Sequence, residues 1–183
     1  MHVYLTRHAT VTPRPDFPGS RWYLSPDGRA AAEKLGEEPY WGELRGIHTS
    51  VEPKAVATAQ RIAAANELPI RIERDLREVQ GRAWVETGYA EQVHAYLSGN
   101  TPEGWEPLDD ARARVLGCID GIVARHIDLN VGIVSHGIVL THYLSDVMKL
   151  SAEEATSLWE SIRFPDVAVF DPEAKRFERE FGG

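Results

Sequence analysis

Short apolar runs of strand length alternate along this chain with longer stretches of helical periodicity, and that alternation narrows the folds open to it. Val3, Tyr4 and Leu5 make one such run, ending in Thr6, Arg7 and His8. Ile47-His48-Thr49-Ser50 and Val131-Gly132-Ile133-Val134 are two more, and residues 69–72 read as a fourth. Between them, Ser25 and Pro26 supply an N-cap and a first helical residue for a helix that stops near Gly36. Residues 53–66 hold Ala55, Ala59, Ile62 and Ala63 at helical spacing. Residues 107–126 set Leu108, Ala111, Val115, Ile119, Ile122 and Val123 along one face. Residues 87–97 and the stretch from 137 to about 148 are also predicted helices. Residues 10–25, punctuated by Pro13, Pro15, Pro18 and Gly19, form a loop, and residues 76–84 are irregular. Two apolar stretches, 167–170 and 177–181, flank Asp171-Pro172 and predict a closing hairpin. Strands separated by helices pair in parallel and need helices over both faces, which makes the expected class α/β.

Size and charge bound the rest. A chain of 183 residues fits one domain spanning 1–183. The formal net charge of −8 works against nucleic acid and anionic membranes, since both are bound chiefly by neutralising phosphates with Lys and Arg. Any phosphate chemistry must therefore sit in a local basic pocket. The longest uncharged stretch, residues 129–145, is too short and too polar to span a bilayer needing about 20 apolar residues. The start of the chain does not resemble a signal peptide. Cys118 is the single cysteine, which excludes an intramolecular disulfide and fits a reducing compartment; a cytoplasmic location is the default expectation. Oligomeric state is not legible.

In parallel sheets ligands bind beyond the carboxyl ends of the strands. Arg7-His8, Thr49-Ser50 and His136-Gly137 all fall there. Taken singly, each histidine is more often a satisfied structural residue. Together they gather complementary chemistry. Arg7 offers planar donors suited to phosphate oxygens, a neutral imidazole is a competent nucleophile when one nitrogen is oriented, and Gly137 permits close approach of backbone amides to an anion. The sequence holds no HExxH pattern, cysteine pair or GxxxxGK pattern, so no metal, cofactor or nucleotide loop is expected.

Four ordered segments resemble the histidine phosphatase superfamily, the phosphoglycerate-mutase-like fold. Leu5-Thr6-Arg7-His8-Ala9 is similar to its nucleophile motif and residues 24–31 to the opening of its first helix. Residues 49–59 are similar to its second basic motif, and Val134-Ser135-His136-Gly137 to its second histidine motif. Leu76-Arg77-Glu78 falls where the family keeps an acidic residue. The resemblance implies a three-layer α/β/α sandwich with a mostly parallel sheet, one antiparallel edge strand, and a short cap over about residues 82–105. It also implies a metal-independent phosphomonoesterase acting on a small phosphorylated substrate. His8 would attack phosphorus; Arg7, Lys54 and His136 would bind the phosphoryl oxygens; Gly137 would line the pocket; Glu78 would act as acid and then base. Departures matter: Lys54 stands where an arginine is usual, Ala9 where glycine is usual, and Thr10 where an acidic residue is usual. Arg14, in place of a common asparagine, is a candidate substrate contact or a solvated loop residue. Three alternatives stay open: a phosphoglycerate-mutase-type phosphotransferase, a phosphohistidine-protein phosphatase, and a catalytically silent binding module.

Overall fold

A computed structural model of the protein describes residues 1–81 and 87–183. Six strands form one sheet: β1 (Val3–Arg7), β2 (Leu44–Ser50), β3 (Ile70–Glu73), β4 (Asn130–Ser135), β5 (Asp166–Asp171) and β6 (Arg176–Arg179), in the order β3-β2-β4-β1-β5-β6. Strands β3, β2, β4 and β1 pair in parallel, β5 runs antiparallel to β1, and β6 antiparallel to β5. The expected closing hairpin is present, with one correction. The antiparallel strand is β5, inside the sheet, whereas the edge is β6. Six helices accompany the sheet: α1 (Pro26–Gly36), α2 (Pro53–Asn66), α3 (Tyr89–Leu97), α4 (Leu108–Arg125), α5 (Gly137–Met148) and α6 (Ala152–Ser161).

The period-two alternation of the strands builds the two cores. Val3, Leu5, Val131, Ile133, Ala168 and Phe170 face one layer, packing on Val115, Ile119 and Ile122 of α4 and Val139, Leu140 and Tyr143 of α5. Tyr4, Ile47, Val134 and Val167 face the other, against Ala55, Ala59, Ile62 and Ala63 of α2. Gly132 belongs to this second face, where an added Cβ would lie 3.0 Å from Leu44 and near Trp41. Helix α1 packs on α2, so it joins the same layer, whereas α5 covers the opposite face. Neighbouring strands β1 and β4 thus send their following helices to opposite sides of the sheet. That divergence opens a crevice at their carboxyl ends.

The expected helices are present at close to their expected bounds, and α6 is an addition. Ser151 caps it, accepting from the Glu154 amide while the Glu154 carboxylate accepts from the Ser151 amide. Cys118 is free and half-buried, packed against the core. The cap expected over 82–105 falls partly on residues 82–86, including Trp84, which lie outside the described residues; its remainder holds α3. Among the described residues no helix is long and apolar enough to cross a membrane.

Candidate active site

The parallel register of β1 and β4 aligns Arg7 with Ser135, and the His8 amide extends the ladder by donating to the Ser135 carbonyl at 3.0 Å. Each strand then releases a histidine at the same level. The rings of His8 and His136 lie 5.2 Å apart, centroid to centroid, at 62°. Both are buried, His8 5% and His136 0% exposed. The Nδ1–H of His8 donates to the Ala9 carbonyl at 2.8 Å, which leaves Nε2 with its lone pair. Ala9 is buried, its φ is not positive, and its amide donates to Thr58 Oγ1, so the methyl is accommodated.

His136 Nε2 lies 2.8 Å from Ser50 Oγ, while its Nδ1 is buried without a partner. Ser50 Oγ also accepts the Glu52 amide. When the Ser50 hydroxyl donates to Nε2, Nδ1 carries the ring proton and is a donor for an anion. Burial drives both histidines well below the usual imidazole range; repulsion between the two rings, were both protonated, adds to the shift of His8, as do Lys54 and Arg7, and Lys54, Arg7 and Arg114 add to that of His136. Both rings are therefore neutral at neutral pH, the state a nitrogen nucleophile needs.

Cations approach from two elements. The Arg7 guanidinium donates from Nη1 to the Ile162 carbonyl and lies 3.5 Å over the Phe164 ring. Its Nε is buried and unpartnered; burial lowers its pKa to about 10, so it remains charged. Gly137 makes room for this group: an added Cβ would sit 3.1 Å from Arg7 Cζ and from Trp159 Nε1. Lys54, in the first turn of α2 and 6% exposed, donates from Nζ to the Gly19 carbonyl at 2.8 Å and to Glu52 Oε2 at 2.5 Å. The loop over residues 10–25 thereby closes onto the site. Its far end is pinned where Gly28 allows α1 to meet the Thr10 carbonyl, a contact at which a Cβ would lie 2.0 Å away.

Glu78 follows the short helical turn after β3. Its Oε1 accepts the Val79 amide at 2.9 Å and its Oε2 the Ile138 amide of α5 at 3.4 Å. Burial raises its pKa above the ordinary carboxyl value despite the Val79 amide, and the negative Glu52 adds to the rise. The backbone carrying Glu78 is clamped. Arg114 of α4 donates to the carbonyls of Asp75, Arg77 and Glu78 while pairing with Glu106 at 2.6 Å, and Ser135 Oγ donates to the Leu76 carbonyl.

The structure thus brings Arg7, His8, Lys54, Glu78, His136 and Gly137 together. Arg14 is exposed, its guanidinium 4.2 Å over the Phe17 ring. The sequence reading missed Glu52, Arg114, Phe164 and Trp159. Glu52 offered one signal, a carboxylate two residues before the lysine in a basic motif; the others carried none, because they reach the site through tertiary packing. Among the described residues, the one grouping of potential cation ligands is His2, Asp171 and Glu178, at the other end of β1 from His8.

Two buried histidines with Arg7 and Lys54 beside them, at the switch point of an α/β sheet, are an arrangement suited to phosphoryl transfer. A sequence model of the histidine phosphatase superfamily (branch 1) matches residues 3–164, and the chain belongs to that family. No curated protein sequence matches. Among solved structures, Bacillus stearothermophilus YhfR is 24% identical with a TM-score of 0.79, covering 100% of this chain and 96% of its own. A mycobacterial glucosyl-3-phosphoglycerate phosphatase is 20% identical at TM-score 0.76, with 100% and 99% covered. The alpha-ribazole phosphatase of Shigella flexneri is 21% identical at TM-score 0.75, with 99% and 95% covered. These likenesses establish the phosphoglycerate-mutase-like sandwich fold.

Proposed function

We propose that the protein is a metal-independent phosphomonoesterase that hydrolyses a small phosphorylated metabolite through a phosphohistidine on His8 Nε2. One observation carries this reading: His8 Nδ1 is committed to a backbone carbonyl, which leaves Nε2 with its lone pair, in a ring that lies 5.2 Å from that of His136 and whose pKa burial, Lys54 and Arg7 depress. In the first step Nε2 forms a bond to phosphorus while the bond to the ester oxygen breaks. Glu78 gives that oxygen its proton. Negative charge on the phosphoryl oxygens meets the Arg7 guanidinium, the third N–H of Lys54, and the otherwise unpartnered Nδ1 of His136. In the second step the Glu78 carboxylate takes a proton from water as its oxygen attacks phosphorus. The N–P bond breaks and inorganic phosphate leaves.

A small substrate is supported by the structurally similar proteins, phosphatases of glucosyl-3-phosphoglycerate and alpha-ribazole phosphate type. Phe164 and Tyr89, 43% and 45% exposed, flank the site and leave apolar surface for the leaving group. The remaining segment of the expected cap, α3, supplies Tyr89. Incubation with a ³²P-labelled aryl phosphate and an alkaline detergent quench is expected to trap an alkali-stable label that acid then releases in the wild type, and none in His8→Ala. Label or turnover retained in His8→Ala would remove His8 from the chemistry.

A further inference from the structure

Glu52 is a buried carboxylate to which the proposed mechanism gives no step. Its side chain is 6% exposed and touches three parts of the site at once. Oε2 accepts from Lys54 Nζ at 2.5 Å. Oε1 accepts the Glu78 amide at 2.8 Å and lies 3.9 Å from His136 Nε2. Its own amide donates to Ser50 Oγ, the atom that orients His136. A carboxylate here opposes anion binding by simple Coulombic repulsion, which is strong where water is excluded. Its position needs another reason.

The Lys54 ammonium has three donors. The Gly19 carbonyl takes one and Glu52 another, so the third is fixed in direction and left for a phosphoryl oxygen. The ion pair also cancels one positive charge. With both histidines neutral, Arg7 alone supplies the pocket's net charge against a phosphate dianion. We propose that Glu52 is a positioning residue that fixes Lys54 and the Glu78 backbone while weakening the pocket's hold on phosphate, so that product leaves readily. This inference rests on the phosphomonoesterase reading and adds to it a determinant of turnover.

The test exploits opposite signs. Glu78 is faced by Glu52 and Lys54 from the β2–α2 junction, by Arg7 from β1, by Tyr89 and Tyr96 from α3, by the Ile138 amide of α5, and at its carbonyl by Arg114 of α4. Glu52→Gln keeps the shape and removes a negative neighbour. Competitive inhibition of p-nitrophenyl phosphate hydrolysis by inorganic phosphate is then expected to tighten by about tenfold, kcat and KM to fall together, and the alkaline limb of kcat/KM to move to lower pH. Lys54→Gln leaves Glu52 unpaired, so phosphate inhibition weakens by at least about tenfold and the limb moves to higher pH. A role confined to packing would not displace the limb in opposite directions. Limbs that stay put or move the same way, or phosphate inhibition that fails to tighten in Glu52→Gln, would overturn the proposal. If Glu52→Gln does not fold by circular dichroism, Glu52→Leu, a neutral side chain of similar size, takes its place with the same two readouts, and an unmoved or raised limb or phosphate inhibition that fails to tighten is fatal. His8→Ala runs in parallel: its activity, if retained, refutes the phosphohistidine reading, whereas an inactive His8→Ala beside unmoved profiles refutes this inference only.

Discussion

At the scale of single residues, burial moves each titrating group of the site toward its neutral form. His8 and His136 are kept neutral by burial and cationic neighbours, and Glu78 is kept protonated above the usual carboxyl range by burial. The signs set the pH profile. Activity through His8 requires loss of its proton, which in the folded protein occurs below pH 6.5; activity through Glu78 requires retention of its proton, which persists above pH 4.5. A bell-shaped kcat/KM is expected, with an acid limb below 6.5 from the histidines and an alkaline limb from Glu78. Glu78→Gln is expected to lower kcat/KM by about 10²–10⁴-fold for alkyl phosphates, far less for p-nitrophenyl phosphate, and to abolish the alkaline limb. An equal loss on good and poor leaving groups would show that Glu78 is not the acid.

Elements place these residues, and two contacts at element ends set the tolerance. Helix α5 begins at Gly137, where Arg7 and the Trp159 indole occupy the space a methyl would need, both at 3.1 Å. Gly137→Ala is expected to push the Arg7 guanidinium off its stacked position, raise KM for an aryl phosphate by about tenfold, and cost about 1–3 kcal/mol of stability. Steady-state kinetics with thermal unfolding checks both; an unchanged KM would mean that Arg7 does not seat the phosphoryl group. Much of this level was legible in the sequence. The strand ends at His8, Ser50 and His136 could be read because strand length and the polar residue that follows are local properties. Helix α6 went unread although Ser151 and Glu154 spell a capping box, because its apolar face, Ala155, Leu158 and Ile162, is short and interrupted by charge. Which strand lies at the edge depends on where β5 docks against β1, a choice made by the whole sheet. Arg114 was illegible for the same reason: its three carbonyl contacts join residues more than thirty positions apart.

The whole molecule must carry these buried histidines against its own stability. His142 isolates that cost, since it lies on α5, fully buried against Tyr96, with both ring nitrogens unpartnered. Burial pushes its pKa down to about 3. A folded value below the unfolded 6.5 means that the unfolded chain binds a proton which the native state refuses. Stability is then complete above pH 6.5 and declines as pH falls from there toward about 3, by about 1.4 kcal/mol per pH unit for this one group. His142→Leu removes the proton-binding group and two unpartnered polar atoms at similar volume. Its unfolding free energy from urea melts between pH 7.5 and 4.5 is expected to fall with pH less steeply than wild type, by about one proton's worth of slope. Because His142 makes no contact with His8 or Arg7, turnover at pH 7 should be unchanged in that variant. Parallel stability curves for the two proteins would mean that His142 is protonated in the native state and that the burial argument fails at this position.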